Sequence, residues 1–227
     1  MNWSYITALN FGVVWTYREP LIAGFGVTLM LTAVSTVIGI VGGTLLAAIS
    51  QVNFRIARWG VAAFVELWRN TPLLVQLIWI HFALPLVTHI NTTELQSGLI
   101  TLCLNVSAYF AEIMRAGIEG VSKGQREAAD SLGLPTWIKW RFVILPQAVR
   151  MVIPPLTNLV ISLFKATAIL SVLSINDLMR VTVSISNYAF RPIELYTSAA
   201  ALYFITGYLM TRVARRVEQH YAVSDQK

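Results

Sequence analysis

The stretch that decides the fold is SKGQREAADSLGLPTWIKWRFVILP, residues 122–146. It carries six charged side chains, whereas the runs before and after it are long and almost uncharged. A segment with this many charges is too costly to place in hydrocarbon. We therefore expect residues 122–146, which we call the charged loop, to lie in water between two membrane spans.

The composition also indicates an integral membrane protein. Of 227 residues, 56% are hydrophobic and 12% are charged, and the mean hydropathy is +0.63. Soluble domains carry about 25% charged residues. The net charge of +6 is therefore expected to reflect topology and anionic lipid, and no basic run interleaved with aromatics suggests nucleic-acid binding.

The sequence contains few groups for catalysis or metal binding. The three histidines have no metal-ligand spacing with cysteine or carboxylates, and Cys103 is expected to be a small packing residue. The phosphate-binding pattern GxxxxGK[ST] is absent, so any energy from ATP must come through a partner.

The charged loop predicts its own local structure. Ser122, followed three residues later by Gln125, fits a capping box, so a helix is expected to begin at Lys123. Gly133 and Pro135 should end it. One face would collect small or apolar residues that allow close approach of another surface: Ala128, Ala129 and Leu132. An ordinary solvated loop helix gives the same pattern, and the pattern alone does not separate the two interpretations.

A second short helix is expected within the charged loop, over residues 137–143. Thr136 would cap it and Pro146 would end it. Trp137 and Trp140 are expected to anchor the loop at the level of the lipid headgroups rather than to bind a ligand.

Several motifs resemble one family. The charged loop reads EAA at 127–129, glycine at 133 and VxLP at 143–146. This resembles the EAA motif of the membrane (permease) subunits of bacterial ATP-binding cassette (ABC) importers, although Val143 stands where isoleucine is common. The flanking KGQ at 123–125 and PQA at 146–148, and ELWRNTPLLVQL at 66–77, resemble the polar amino acid branch, the histidine, glutamine and glutamate type. There Asn70 stands where glycine is common. The resemblance covers roughly residues 20–217.

The resemblance implies a non-catalytic subunit whose loop, the coupling helix, docks on an ATPase. The loop residues that it assigns to this contact are Gln125, Glu127, Ala128, Ala129, Asp130, Leu132 and Gly133. It implies no cofactor on this chain, with ATP and Mg bound by a dimer of ATPase subunits. The further partners implied are a second permease subunit, identical or related, an external substrate-binding protein, and the lipid of a bacterial cytoplasmic (inner) membrane.

The long uncharged runs predict an all-α membrane protein with about five transmembrane helices. The first lies between Glu19 and Arg55, and the others run over about 59–84, 94–118, 151–175 and 195–211. Residues 19–217 would form a single permease domain, between an external or interfacial segment at 1–18 and a cytoplasmic tail at 218–227.

Small features refine the spans and their orientation. Gly39, Gly42 and Gly43 favour close helix packing in the first span, and Thr71-Pro72 should kink or open the second. Placing the charged loop inside collects 13 of the 17 basic residues in cytoplasmic segments. The positive-inside rule then predicts the N-terminus outside and the C-terminus inside.

A polar face of the fourth span is the candidate substrate site. Asn158, Ser162 and Lys165 fall at i, i+4 and i+7, and Thr167 lies close by. Lys165 would be near mid-membrane, where a lysine must face the bundle interior, water or a partner. It could instead pair with a backbone carbonyl or with Glu112 to stabilise the bundle.

Other charged residues are weaker candidates. Glu112 with Arg115, and Glu66 with Arg69, form i, i+3 pairs that are expected to be structural. Arg69, beside Thr71, could instead line the inner vestibule together with Glu112. Asp177 and Glu194 are expected near the outer surface, either solvated or in contact with the binding protein.

The function expected is ATP-driven import of polar amino acids. Neutral or acidic amino acids are expected over basic ones, because residues 155–175 contain no carboxylate to meet a cationic side chain. The alternatives are a permease for another small polar solute, a membrane scaffold or channel, and an intramembrane enzyme. The last would need paired catalytic groups that the spans lack.

Overall fold

The computed structural model describes residues 9–222, and all its regular elements in that range are helices. We number its helices in chain order. The bounds are α1 Gly12–Thr16, α2 Arg18–Ser50, α3 Arg55–Asn70, α4 Leu73–Thr88, α5 Glu94–Gly120, α6 Lys123–Ser131, α7 Thr136–Leu173, α8 Leu178–Ala189 and α9 Pro192–Ala222. The predictions for residues 1–8 and for the end of the tail lie outside the described residues.

The predicted all-helical membrane fold is confirmed. Within the described range, α2, α5 and α7 are long and apolar enough to cross a membrane, and α3 with α4 passes as one broken span. The last helix, α9, has 31 residues and is less apolar. At 1.5 Å per residue it is about 46 Å long, enough to cross the roughly 30 Å hydrocarbon layer.

Glycines on α2 let the first and third spans pack almost backbone to backbone. A Cβ added to Gly43 would lie 2.7 Å from the carbonyl oxygen of Ser107 and 2.9 Å from the backbone nitrogen of Ala111. A Cβ added to Gly39 would lie 2.3 Å from a side-chain methyl of Val106. The predicted close helix packing is confirmed, and it builds the centre of the bundle.

The second span is broken more sharply than predicted. The helices α3 and α4 are bent by 108° at Thr71-Pro72, so they do not form one kinked helix. Proline has no N–H and forces the residue before it out of the helical region, and Thr71 is extended, with φ −108° and ψ 141°. This break leaves backbone carbonyls that need other hydrogen-bond partners.

The fourth span begins earlier than predicted. The separate helix at 137–143 and the stop at Pro146 are wrong, because α7 runs unbroken from Thr136 to Leu173. Residues Lys139–Ile144 form a wide π-helical segment just before Pro146. The proline ring would otherwise clash with the carbonyl four residues earlier, and the wider turn removes that contact.

The predicted exposure of two carboxylates is also wrong. Asp177 is fully buried and caps α8, accepting a hydrogen bond from the Arg180 N–H at 2.8 Å. Glu194 is buried and accepts a hydrogen bond from the Asn10 N–H at 3.1 Å. Both carboxylates therefore hold the fold together and are not available to an external protein.

Candidate functional site

A polar cleft of about 680 Å³ opens beside the broken span. It lies between the α3–α4 junction, α5 and α7. Its polar lining residues are Arg69, Asn70, Thr71, Asn105, Tyr109, Asn158 and Ser162. Apolar side chains such as Leu73, Val106 and Leu159 complete the walls. A mixed surface of this kind suits a small solute with both polar and apolar parts.

Two side-chain amides stabilise the break that forms one wall of the cleft. The Gln76 amide nitrogen donates to the carbonyl oxygens of Trp68 at 2.8 Å and Thr71 at 3.0 Å. The Asn105 amide donates to the Gln76 side-chain oxygen at 3.1 Å. Free carbonyls at membrane depth cost several kcal/mol unless a partner satisfies them. The two amides supply partners, so an irregular backbone can persist beside the cleft.

Arg69 brings a positive charge to the cleft. Its guanidinium lies over the Tyr109 ring, 5.7 Å from the centroid, and 3.7 Å from the Glu112 carboxylate. About a third of the side chain is exposed. Glu112 also forms a closer ion pair with Arg115, which in turn bonds Glu119 at 2.9 Å. Glu112 is thus shared between two arginines, and Arg69 keeps a partly exposed guanidinium.

Only part of the polar face predicted on the fourth span lines the cleft. Asn158 and Ser162 line the cleft, but Lys165 does not. Lys165 is exposed, and no described residue forms an ion pair or hydrogen bond with its side chain. The alternative pairing of Lys165 with Glu112 is not present. Glu112, which was also predicted to line the pathway, does not line the cleft; its link to the cleft is the ion pair with Arg69.

Thr167 is not part of the cleft. It is fully buried, and its hydroxyl donates to the Phe164 carbonyl at 2.7 Å. The prediction that Thr167 lines the pathway is therefore wrong, whereas Thr71 does lie in the lining.

Four residues of the site were not predicted from the sequence. Asn70, Asn105 and Tyr109 line the cleft, and Gln76 supports its wall. Asn105 and Gln76 each lie inside an apolar run. An amide in such a run was the available signal, because polar groups at membrane depth must find partners.

The helix of the charged loop forms as predicted. The Ser122 hydroxyl accepts from the Gln125 N–H at 3.4 Å, and the helix ends at Ser131. Gly133 has φ +64°. Its N–H donates a hydrogen bond to the Asp130 carbonyl, and the Leu134 N–H donates to the Ala129 carbonyl. These two bonds form the Schellman arrangement. Only a residue without a Cβ adopts this backbone readily.

One residue of the predicted contact set does not face outward from α6. Ala129 is 3% exposed, because it packs inside this chain, so it is excluded from the outward face. The other predicted contact residues are exposed, and the side chain of Leu132 is 76% exposed. Lys139 bonds Asp130 at 2.5 Å and fixes α6 against the start of α7.

Comparison with known proteins identifies similar sequences. Residues 39–223 match the sequence profile of the family described as binding-protein-dependent transport system inner membrane component. A putative glutamine transport system permease protein of Rickettsia bellii is 37% identical, with 90% of this chain and 94% of the relative covered. An arginine transport system permease protein of Bacillus subtilis is 31% identical over the same shares.

Solved structures give the same result. The crystal structure of an amino acid ABC transporter with histidines superposes with a TM-score of 0.90 at 34% identity. The match covers 94% of this chain and 99% of that one. An inward-facing MetNI methionine ABC transporter shares the fold, with a TM-score of 0.76 at 20% identity.

Proposed function

Because this chain belongs to the family of binding-protein-dependent transport system inner membrane components, we propose that its polar cleft carries a small polar amino acid across the inner membrane. The chain is a non-catalytic, multi-pass permease subunit of an amino acid ABC importer. ATP is hydrolysed by the partner ATPase, and a binding protein belongs to the same system.

The cleft is the observation that carries this proposal. Amide and hydroxyl groups of Asn105, Asn158 and Ser162 face a space of about 680 Å³ beside a broken span. An amino acid needs partners for its carboxylate, its ammonium and any polar side chain. Arg69 suits the carboxylate, and the amides and hydroxyls suit the remaining groups.

We propose further that neutral polar or acidic amino acids are preferred over basic ones. No carboxylate lines the cleft within the described chain, and the nearest, Glu112, is already shared by Arg69 and Arg115. A cationic side chain in the cleft would therefore lack a counter-charge. Relatives named for glutamine and for arginine are both similar to this chain, so the preference rests on the lining residues.

The outward face of α6 is the proposed ATPase contact. It comprises Gln125, Glu127, Ala128, Asp130, Leu132 and Gly133, which are exposed together on one short helix and its C-terminal turn. A leucine that is 76% exposed at the C-terminal end of a mostly polar helix is expected to fill an apolar pocket on a partner.

A second permease subunit, identical or related, is proposed to complete the pathway. Lys165 supports this, because its ammonium has no partner in the described chain although it lies within the candidate span α7, where a lysine is costly. A carboxylate, carbonyl or water at the subunit interface would satisfy it.

The N-terminus is proposed outside, and a cytoplasm-specific reporter fused after Lys227 should be active while one near Asn91 should not.

Substrate protection of a single cysteine tests the cleft. The native Cys103 is buried, so a water-soluble maleimide should label Ser162→Cys selectively in the reconstituted permease–ATPase complex. Glutamine or glutamate, delivered by the binding protein, should slow this labelling. The exposed control Glu119→Cys should label at the same rate with and without substrate. Equal labelling of Ser162→Cys under both conditions would count against the cleft.

A further inference from the structure

Two further cavities lie on the opposite face of α7, away from the polar cleft. One is an apolar groove of about 450 Å³ between α2, α7 and α9, lined among others by Leu156, Val160, Met210 and Val213. The other is a polar cavity of about 210 Å³ at the α7–α9 junction, lined by Gln147, Arg150, Glu218 and Tyr221 among others. Neither has a role in the proposed transport pathway.

One hydrogen bond lies where the two cavities meet. Thr157, which lines the groove, donates to the carboxylate of Glu218, which lines the polar cavity, at 2.7 Å. The Thr157 hydroxyl also lies 2.8 Å from the Pro154 carbonyl. The groove and the polar cavity are thus consecutive along the same two antiparallel helices.

The polar cavity carries unlike charges that do not bridge one another. Arg150 and Glu218 line the same space, yet they form no ion pair, and no described residue hydrogen-bonds the Arg150 guanidinium. A ligand with an anionic and a cationic group could therefore engage both side chains at once.

The groove has the length and exposure expected for an acyl chain. Along α9 the groove lining runs from Thr206 to Val217, a rise of about 17 Å, and one leaflet of hydrocarbon is about half of a 30 Å core. The groove opens outward, because Val213 is 60% and Leu209 58% exposed. Its polar end lies on the side of the charged loop, where the headgroups of that leaflet would be.

We propose that these cavities form a specific site for a phospholipid with a zwitterionic ethanolamine headgroup. The phosphate lies against Arg150 and the Gln147 amide, and the ammonium against the Glu218 carboxylate. One acyl chain fills the groove beside Val160 and Val213. A free amino acid could supply the same two charges, but it would leave the apolar groove empty, so the lipid accounts for both cavities.

Binding is measured by native mass spectrometry of the purified permease–ATPase complex, titrated with dioleoyl phosphatidylethanolamine or dioleoyl phosphatidylglycerol. The wild-type complex should retain the ethanolamine lipid more tightly than the glycerol lipid. Arg150→Gln should weaken its binding about tenfold, as expected for a lost charge-assisted hydrogen bond. Glu218→Gln should reduce the preference between headgroups. Arg216→Gln, which removes a charge outside both cavities, should change neither.

The groove is tested separately from the headgroup cavity. Val213→Trp should block the acyl chain and reduce lipid retention, whereas Ile205→Trp, on the same helix and outside the groove, should not. Equal binding of both lipids by the wild-type complex, or normal retention by Val213→Trp, would overturn the proposal. Displacement of the lipid by glutamine, or disulfide-linked permease pairs formed by Val213→Cys, would assign the site to the substrate or to a second subunit instead.

Discussion

The side-chain amide of Asn105 on the third span donates to the side-chain oxygen of Gln76, 3.1 Å away on the far side of the helix break. Gln76 in turn donates to the carbonyls of Trp68 and Thr71, which lie in the last turn before Pro72. The side chains of Asn105 and Gln76 therefore stabilise an irregular backbone segment at membrane depth. This segment forms one wall of the polar cleft.

Removing the Gln76 amide should destabilise the permease. Gln76→Leu leaves the Trp68 carbonyl with only the longer Asn105 bond at 3.4 Å, removes the Gln76 donor to the Thr71 carbonyl, and removes the nearer of the two acceptors of the Asn105 amide. The free energy of unfolding should fall by about 1–3 kcal/mol, measured by denaturant unfolding of the detergent-solubilised complex. Gln51→Leu, at an exposed position after α2, is the control. Equal stability of the two variants would contradict the claim that the Gln76 amide stabilises the helix break.

The α2–α5 contact predicts a contrast between two glycines of one helix. Gly43→Ala would push a methyl group to 2.7 Å from the Ser107 carbonyl oxygen, and backbone cannot move aside cheaply. Overpacking of this kind costs about 1–3 kcal/mol. Gly26→Ala meets nothing within 4 Å and should be neutral or slightly stabilising. Thermal unfolding of the two variants compares them, and similar melting temperatures would refute the contact.

The C-terminal turn of α6 predicts an uncoupling mutation. Gly133→Val forces a β-branched residue into φ +64°, so the turn that follows the contact face must rearrange. Uptake per ATP hydrolysed should fall while the protein stays in the membrane. Gly60→Val, in α3 with open space around it, is the matched control. A Gly133→Val complex with wild-type uptake and ATPase association would argue against the coupling role.

Buried Asp177 predicts a pH dependence of stability. Burial raises the pKa of this carboxyl from its ordinary 3.8 to about 6, although its bond from the Arg180 N–H opposes the shift. The folded state thus binds the proton more tightly than the unfolded state. The resulting stabilisation is complete below pH 3.8 and is lost as the pH rises through 6. Its upper limit is about 3 kcal/mol.

The measurement is the melting temperature of the complex between pH 4.5 and 7.5. Wild type should melt at a lower temperature as the pH rises through 6. Asp177→Asn keeps an acceptor for the Arg180 N–H and should flatten that part of the profile. The same slope in both proteins would assign the pH dependence to other groups.

The sequence predicted features that depend on local backbone chemistry. Ser122 at the start of α6, Gly133 at its end and the glycine contacts of α2 follow from capping, positive φ and the absence of a Cβ. The π-helical segment before Pro146 and the 108° break were not predictable in the same way. They depend on how neighbouring helices satisfy the backbone groups that a proline leaves free.

Lys165 shows why the candidate site was only partly predictable. Spacing places it near Asn158, but at about 100° per residue Leu159, Ser162 and Ala166 fall on one side of Asn158 and Lys165 on the other. The cleft lies on the first side. The positions of α3 and α5 determine which side of α7 faces the cleft, and these positions depend on tertiary packing.

The central claim is that the cleft selects amino acids by a cation, Arg69, and the absence of a lining carboxylate. The most direct measurement is ATP-dependent uptake of radiolabelled glutamine into proteoliposomes, with unlabelled glutamine, glutamate, histidine and arginine as competitors. We predict that glutamine or glutamate competes most strongly in the wild-type complex and that Arg69→Gln weakens this competition. Arginine as the strongest competitor, or unchanged uptake by Arg69→Gln, would contradict the account.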